Sequence, residues 1–159
     1  MKKITYASPL RPMIMLTDDK ALYGLWFADQ KYCGGHFDLN AFDNGYTAQS
    51  KKVIAWLDQY FAGQAPSISG INLAPQATSF QKAVYHELLQ IPFGQTTTYK
   101  ALAAKVNSSP RAIGNAIARN QILLIIPCHR VLGANGALTG YAGGLERKQA
   151  LLKLEGSFH

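Results

Sequence analysis

The chain is poor in the features that mark secretion or membrane insertion. It has only two cysteines, Cys33 and Cys128. Two cysteines could pair, but nothing in the sequence points to an oxidising compartment, so both are expected as free thiols. The opening residues Met1–Tyr6 are not followed by the apolar stretch of a signal peptide. No apolar run is longer than Ile122–Ile126, far too short to cross a bilayer. Glycine (14) and proline (7) stand at ordinary levels, which argues against a disordered class. There is no internal repeat and no low-complexity tract. A cytoplasmic protein without membrane contact is expected.

Acidic residues are scarce in one half only. Residues 1–79 hold seven Lys and Arg against six Asp, whereas residues 80–159 hold nine against three Glu. A basic half beside a near-neutral one fits a polyanion-binding domain next to a structural one, although charge alone also fits a solvated basic surface. With 48% hydrophobic residues over a length of 159, there is material for a real core in one domain or two small ones.

The first third reads as strands, Ile4–Leu10, Pro12–Leu16 and Ala21–Ala28, with a turn at Asp18-Asp19-Lys20. Thr47 then opens a helix whose Val53, Trp56, Leu57, Tyr60 and Phe61 form one apolar face, ended near Gly63. Residues 63–79, with Pro66 and Pro75, read as an extended linker. The boundary is set between domains 1–75 and 76–159. Helices are expected from Thr78 or Ser79 to Gln90, from Tyr99 to Val106, from Pro110 to Arg119 and from Leu145 to Leu154. Ile122–Ile126 reads as a strand and Gly133–Gly136 as a hairpin. Two short helices, a tight turn and a hairpin spell a winged helix-turn-helix. The second of these helices is rich in small residues, including Ala112 and Gly114. These permit close approach to a groove, or equally to another helix.

The chemistry centres on Pro127-Cys128-His129-Arg130-Val131. A lone cysteine is more often an inert core residue than a nucleophile. Here a base and a cation follow it at once, and a thiol beside such groups can be held as the nucleophilic thiolate. With its companions the motif resembles the O6-alkylguanine-DNA alkyltransferase family. The companions are Tyr99 after FGQTTTY, Arg111 in PRAIGNA, Asn120, Tyr141-Ala142-Gly143-Gly144 and Glu155. The detailed match covers about residues 78–156, and the N-terminal part matches in outline.

The resemblance implies an α+β protein with a small antiparallel sheet and helix of ribonuclease H-like type, followed by a winged helix-turn-helix alkyltransferase domain. It implies a monomer acting on double-stranded DNA that carries O6-alkylguanine, with O4-alkylthymine as a second candidate substrate. Contact would be through the minor groove, with the damaged nucleotide flipped out. Cys128 would accept the alkyl group, His129 would act as base through a water, and Glu155 would orient His129. Tyr99 would donate to the purine and Asn120 would brace the turn beside the thiol. Arg111 would fill the vacated place in the duplex, with Ala112, Gly114, Asn115 and Arg119 on the same DNA-facing helix. Val131, Tyr141, Ala142 and Gly143 would line the base pocket with Tyr99. Ala142 stands where the family often has Ser, so only its backbone N–H could hold the guanine oxygen.

No cofactor and no metal are implied. Cys33-Gly34-Gly35-His36 offers two of the four ligands that a structural zinc needs. Two other classes compete. A non-catalytic lesion sensor would lack the reactive cysteine. A cysteine hydrolase would usually have its histidine far from the nucleophile in sequence.

Overall fold

The computed structural model describes residues 1–158 and divides the chain into two compact units, Met1–Gln76 and Ala77–His159. In the first, strands β1 (Lys2–Ser8), β2 (Arg11–Thr17) and β3 (Leu22–Phe27) form an antiparallel sheet with β2 in the centre. The central position matches the sequence, because β2 buries Met13, Met15, Leu16 and Thr17. Trp26 is fully buried and its indole lies across Gly24, where any side chain would collide with the ring. Helix α1 (Ala48–Phe61) starts at a capping box made by Thr47 and Ser50. It lays Val53, Trp56, Leu57 and Tyr60 against the sheet. Gly63 follows the helix in the left-handed region, as its C-terminal position requires. The segment after α1 is more than a linker. Asn72 and Ala74 pair with both backbone groups of Leu22, which pins it to the edge of the sheet.

The second unit is helical. Its α2 (Ser79–Leu88) is capped by Thr78 and Gln81, and α3 (Tyr99–Lys105) by Thr98. Asn107, with φ 55°, closes α3, and the Ser108 N–H reaches back to the Ala103 carbonyl. Ser109 then caps α4 (Pro110–Ala118), with Pro110 at its first position. Four residues, 106–109, thus lie between the two helices. The α4 helix buries Ile113, Ala116 and Ile117, and α5 (Leu145–Leu154) closes the unit.

Two sequence expectations fail here. Ile122–Ile126 is no strand. It is a buried turn, with Ile126 N–H bonded to the Ile122 carbonyl and Leu124 at φ 69°. Its residues are 3% exposed or less, so their apolar character reflects core burial from all sides rather than a pleated face. Gly133–Gly136 makes no antiparallel hairpin either. Its turn is closed by a Gly133 to Ala137 hydrogen bond, while the preceding β5 (Val131–Leu132) pairs in parallel with β4 (Thr97–Thr98). No helix among the described residues is long and apolar enough to cross a membrane.

Candidate functional site

The buried turn exists because Asn120 closes it. Asn120 follows α4 and is 2% exposed. Its side-chain oxygen accepts from the Ile122 N–H at 3.0 Å, and its Nδ2 donates to the Ile126 carbonyl at 3.0 Å. The same Nδ2 donates to Cys128 Sγ at 3.3 Å. One amide therefore shapes the approach to the cysteine and bonds its sulfur. Cys128 opens a single turn of 3-10 helix, Cys128–Arg130, and is 2% exposed. Burial pushes its thiol up to about 11, against the opposing pull of the Asn120 hydrogen bond and the Lys148 charge. At rest the sulfur is a neutral thiol.

The next residue is a histidine. His129 is fully buried, and its Nε2 lies 2.6 Å from Glu155 Oε2. Burial would raise the Glu155 carboxyl, but hydrogen bonds and charge from His129 and Arg130 outweigh it and hold the group down at about 2. Glu155 is therefore ionised and must accept, so Nε2 carries the proton. Burial holds His129 below its usual range, despite Glu155, which makes it a neutral imidazole. Its Nδ1 is then a lone-pair acceptor, and it has no hydrogen-bond partner among the described residues. A neutral imidazole backed by a carboxylate, with an unpartnered Nδ1, has the chemistry of a general base.

Arg130 was read from the sequence as a cation available to the thiol. The structure sends it elsewhere. Its Nε donates to Glu155 Oε1 at 2.7 Å and its Nη2 to Oε2 at 3.2 Å, while Nη1 donates to the Ile91 carbonyl at 2.7 Å. Gly94, at φ 86°, turns its N–H toward Oε1 of the same carboxylate at 3.5 Å. The cation that acts on Cys128 is Lys148, fully buried on α5. Sequence reasoning missed Lys148 and the anchoring role of Arg130. The signal was available: Lys148, Leu151, Leu152 and Glu155 fall on one helical face, so two charged residues stand at core positions.

The remaining residues fall into two groups. Tyr99 opens α3 half-buried, and its hydroxyl accepts from Thr139 Oγ1 at 3.4 Å. Val131 is fully buried in β5. The Tyr141 ring meets His129 edge-on at 6.3 Å between centroids, and its buried hydroxyl has no partner among the described residues. Ala142 is half-buried. Gly143 is buried, and its carbonyl accepts from Arg147. The second group lies on α4 and at its C-terminal cap: Arg111, Asn115 and the capping Arg119 are exposed, and Ala112 and Gly114 are partly so. A Cβ at Gly114 would meet nothing within 4 Å beyond its own helix backbone and chain neighbours. Packing inside this chain therefore does not explain the glycine. No cluster of three or more metal-ligating side chains occurs among the described residues.

Comparison with known proteins accounts for both units. Residues 79–157 match the model of the 6-O-methylguanine DNA methyltransferase DNA-binding domain, and residues 1–75 match that of the ribonuclease-like domain. The chain is similar to a methylated-DNA–protein-cysteine methyltransferase of Methanosarcina acetivorans, 40% identical over 96% of each chain. A protein of the same name from Mycobacterium leprae is 41% identical over 93% of this chain and 88% of its own. The crystal structure of Mycobacterium tuberculosis OGT in complex with DNA superposes with a TM-score of 0.86, at 34% identity over 99% of this chain and 94% of that one. With both halves matched and relatives near 40% identity over nearly its whole length, the chain belongs to the 6-O-methylguanine DNA methyltransferase family.

Proposed function

We propose that this protein repairs DNA by direct reversal, taking the alkyl group of O6-alkylguanine onto Cys128 in a single, irreversible turnover. The observation that carries the reading is the buried series of Asn120, Cys128, His129 and Glu155. A protonated thiol there is followed in the chain by a neutral imidazole whose Nε2 is bonded to an ionised carboxylate and whose Nδ1 is unpartnered among the described residues.

DNA is the partner, met through α4. Arg111 enters the duplex in place of the flipped nucleotide, where its planar cation can stack and bond the orphaned base. The small residues Ala112 and Gly114 let the helix sit close in the minor groove. Asn115 and Arg119 reach the backbone, which favours binding without sequence preference. The excess of basic residues after position 79 favours the same approach.

In the pocket, His129 Nδ1 takes the Cys128 proton through a bound water, and Glu155 stabilises the imidazolium that forms. The thiolate attacks the alkyl carbon. A carbon–sulfur bond forms as the bond from carbon to the guanine oxygen breaks, and the electron pair leaves with the purine. Tyr99 donates to the purine ring, the Ala142 N–H faces its oxygen, and the Val131 carbonyl accepts from its amino group. The product is a thioether with no leaving group for water to displace, so the protein reacts once. O4-alkylthymine presents the same carbon–oxygen bond and is the second substrate. The protein acts as a monomer in the cytoplasm, with no metal or cofactor in the reaction.

Intact mass after incubation with duplex DNA containing O6-methylguanine tests this. One methyl should replace the thiol hydrogen, map to Cys128 and be absent in Cys128→Ala. DNA binding without any mass change would instead make the protein a lesion sensor.

A further inference from the structure

The apparatus above leaves one buried charge unexplained. Lys148 is fully buried on α5, and none of the described carboxylates pairs with it. Its partners are neutral. Nζ donates to the Thr139 carbonyl at 2.7 Å and to that of Gly140 at 3.3 Å, and it lies 5.9 Å from the centre of the Tyr99 ring. Lysine is among the residues least often fully buried, and an ammonium gains little from two carbonyls compared with water. A methionine would fill the same space without that penalty, so packing does not account for the charge.

The partners do account for it. Thr139 and Gly140 begin the segment that runs through Tyr141, Ala142 and Gly143, and Thr139 is also bonded through its hydroxyl to Tyr99. We propose that Lys148 is a positioning residue for alkyl transfer. From α5 it latches the loop 139–143 by two backbone carbonyls and holds it against Tyr99, so that the two walls of the base pocket keep a fixed separation. The proposal rests on the function proposed above, which supplies the base that this pocket grips. A second consequence follows from place. Burial holds Lys148 down at about 8, and the charge of Cys128 works in the opposite sense. Formation of the thiolate therefore strengthens the proton's hold on Lys148, and the latch is firmest when the nucleophile is ready.

Single-turnover kinetics test the latch on Lys148→Met, which keeps an unbranched side chain of similar bulk and removes every donor. The amplitude counts folded molecules, whereas the saturating rate constant reads the pocket. The rate constant should fall at least tenfold on both methylated duplex and free O6-benzylguanine, with affinity for undamaged duplex within twofold of native. A native rate constant with a reduced amplitude would make Lys148 merely structural and overturn the proposal, as would a loss confined to duplex. If Lys148→Met does not fold, the neutral, polar Lys148→Gln serves. Faster amide exchange across 139–143 together with a lowered rate constant supports the latch, and any other combination overturns it. The exchange measurement needs no substrate. A native protein that fails to take up methyl would therefore count against the proposed function alone.

Discussion

Replacing Glu155 by glutamine should cost about 3 kcal/mol of stability at neutral pH, and that cost should vanish in acid. Glu155 is 5% exposed and receives hydrogen bonds from His129 and from two nitrogens of Arg130. Its carboxyl is held down from 4.5 to about 2, which corresponds to about 3 kcal/mol at 1.36 kcal/mol per pH unit. A separate route gives a similar size: removing one member of a buried pair and leaving the other charge typically costs about 3–5 kcal/mol. The sign follows from the lowered value. The stabilisation is fully present above about 4.5, where the unfolded carboxyl is already ionised, and is lost as pH falls toward about 2. Urea unfolding of the native chain and of Glu155→Gln should therefore differ by about 3 kcal/mol at pH 6, with the gap closing below pH 4.5. Tryptophan fluorescence is the wrong probe, because Trp26 and Trp56 both lie in the first unit. Far-UV circular dichroism follows α2 to α5 instead. A gap that is already under 1 kcal/mol at pH 6, or that stays constant down to pH 2.5, would refute the ionised, anchored carboxylate and the tautomer of His129 derived from it.

Three other outcomes follow from the same geometry. Arg111→Ala should lower the transfer rate on duplex DNA at least tenfold and leave reaction with free O6-benzylguanine within twofold; equal losses would remove Arg111 from the flipping step. Gly114→Ala should keep or raise stability, by up to about 1 kcal/mol, since alanine is the better helix former and the place of its Cβ is open. The same change should weaken DNA binding, and a thermal denaturation showing loss of stability would place Gly114 in internal packing instead. Asn120→Ala removes three buried hydrogen bonds at about 1 kcal/mol each. It should cost about 3 kcal/mol and slow transfer per folded molecule, and a native rate constant would confine Asn120 to the turn.

Local signals carried most of the fold. Thr47, Thr78 and Ser109 each cap the helix that the sequence placed after them, and Pro110 and Gly63 fall at their expected ends. These are contacts within a few residues, so they are written in the chain. The failures share the opposite cause. Ile122–Ile126 has a strand's composition, but its shape is set by Asn120 and by burial on every side. The partner of Val131-Leu132 is Thr97-Thr98, more than thirty residues away. Neither fact is available from periodicity.

The site shows the same division in sharper form. The motif identified Cys128, His129, Asn120 and Glu155 by type and order, but the state of each depends on which atoms meet. Adjacency in sequence paired Arg130 with the thiol, whereas a 3-10 turn swings its guanidinium onto Glu155. That exchange decides the chemistry. His129 and Arg130 together keep Glu155 ionised, Glu155 fixes the proton on Nε2 of His129, and Nδ1 is left as an unpartnered acceptor among the described residues. Had Arg130 lain on the sulfur, the thiolate would be favoured in the resting protein and exposed to any electrophile that reached it. With the thiol buried and held up to about 11, the nucleophile rests in its less reactive, protonated form. A nucleophile that can be used only once is better kept protonated until its substrate arrives; burial of Cys128 keeps it so, and the engagement of Arg130 by Glu155 leaves that burial without a guanidinium to oppose it.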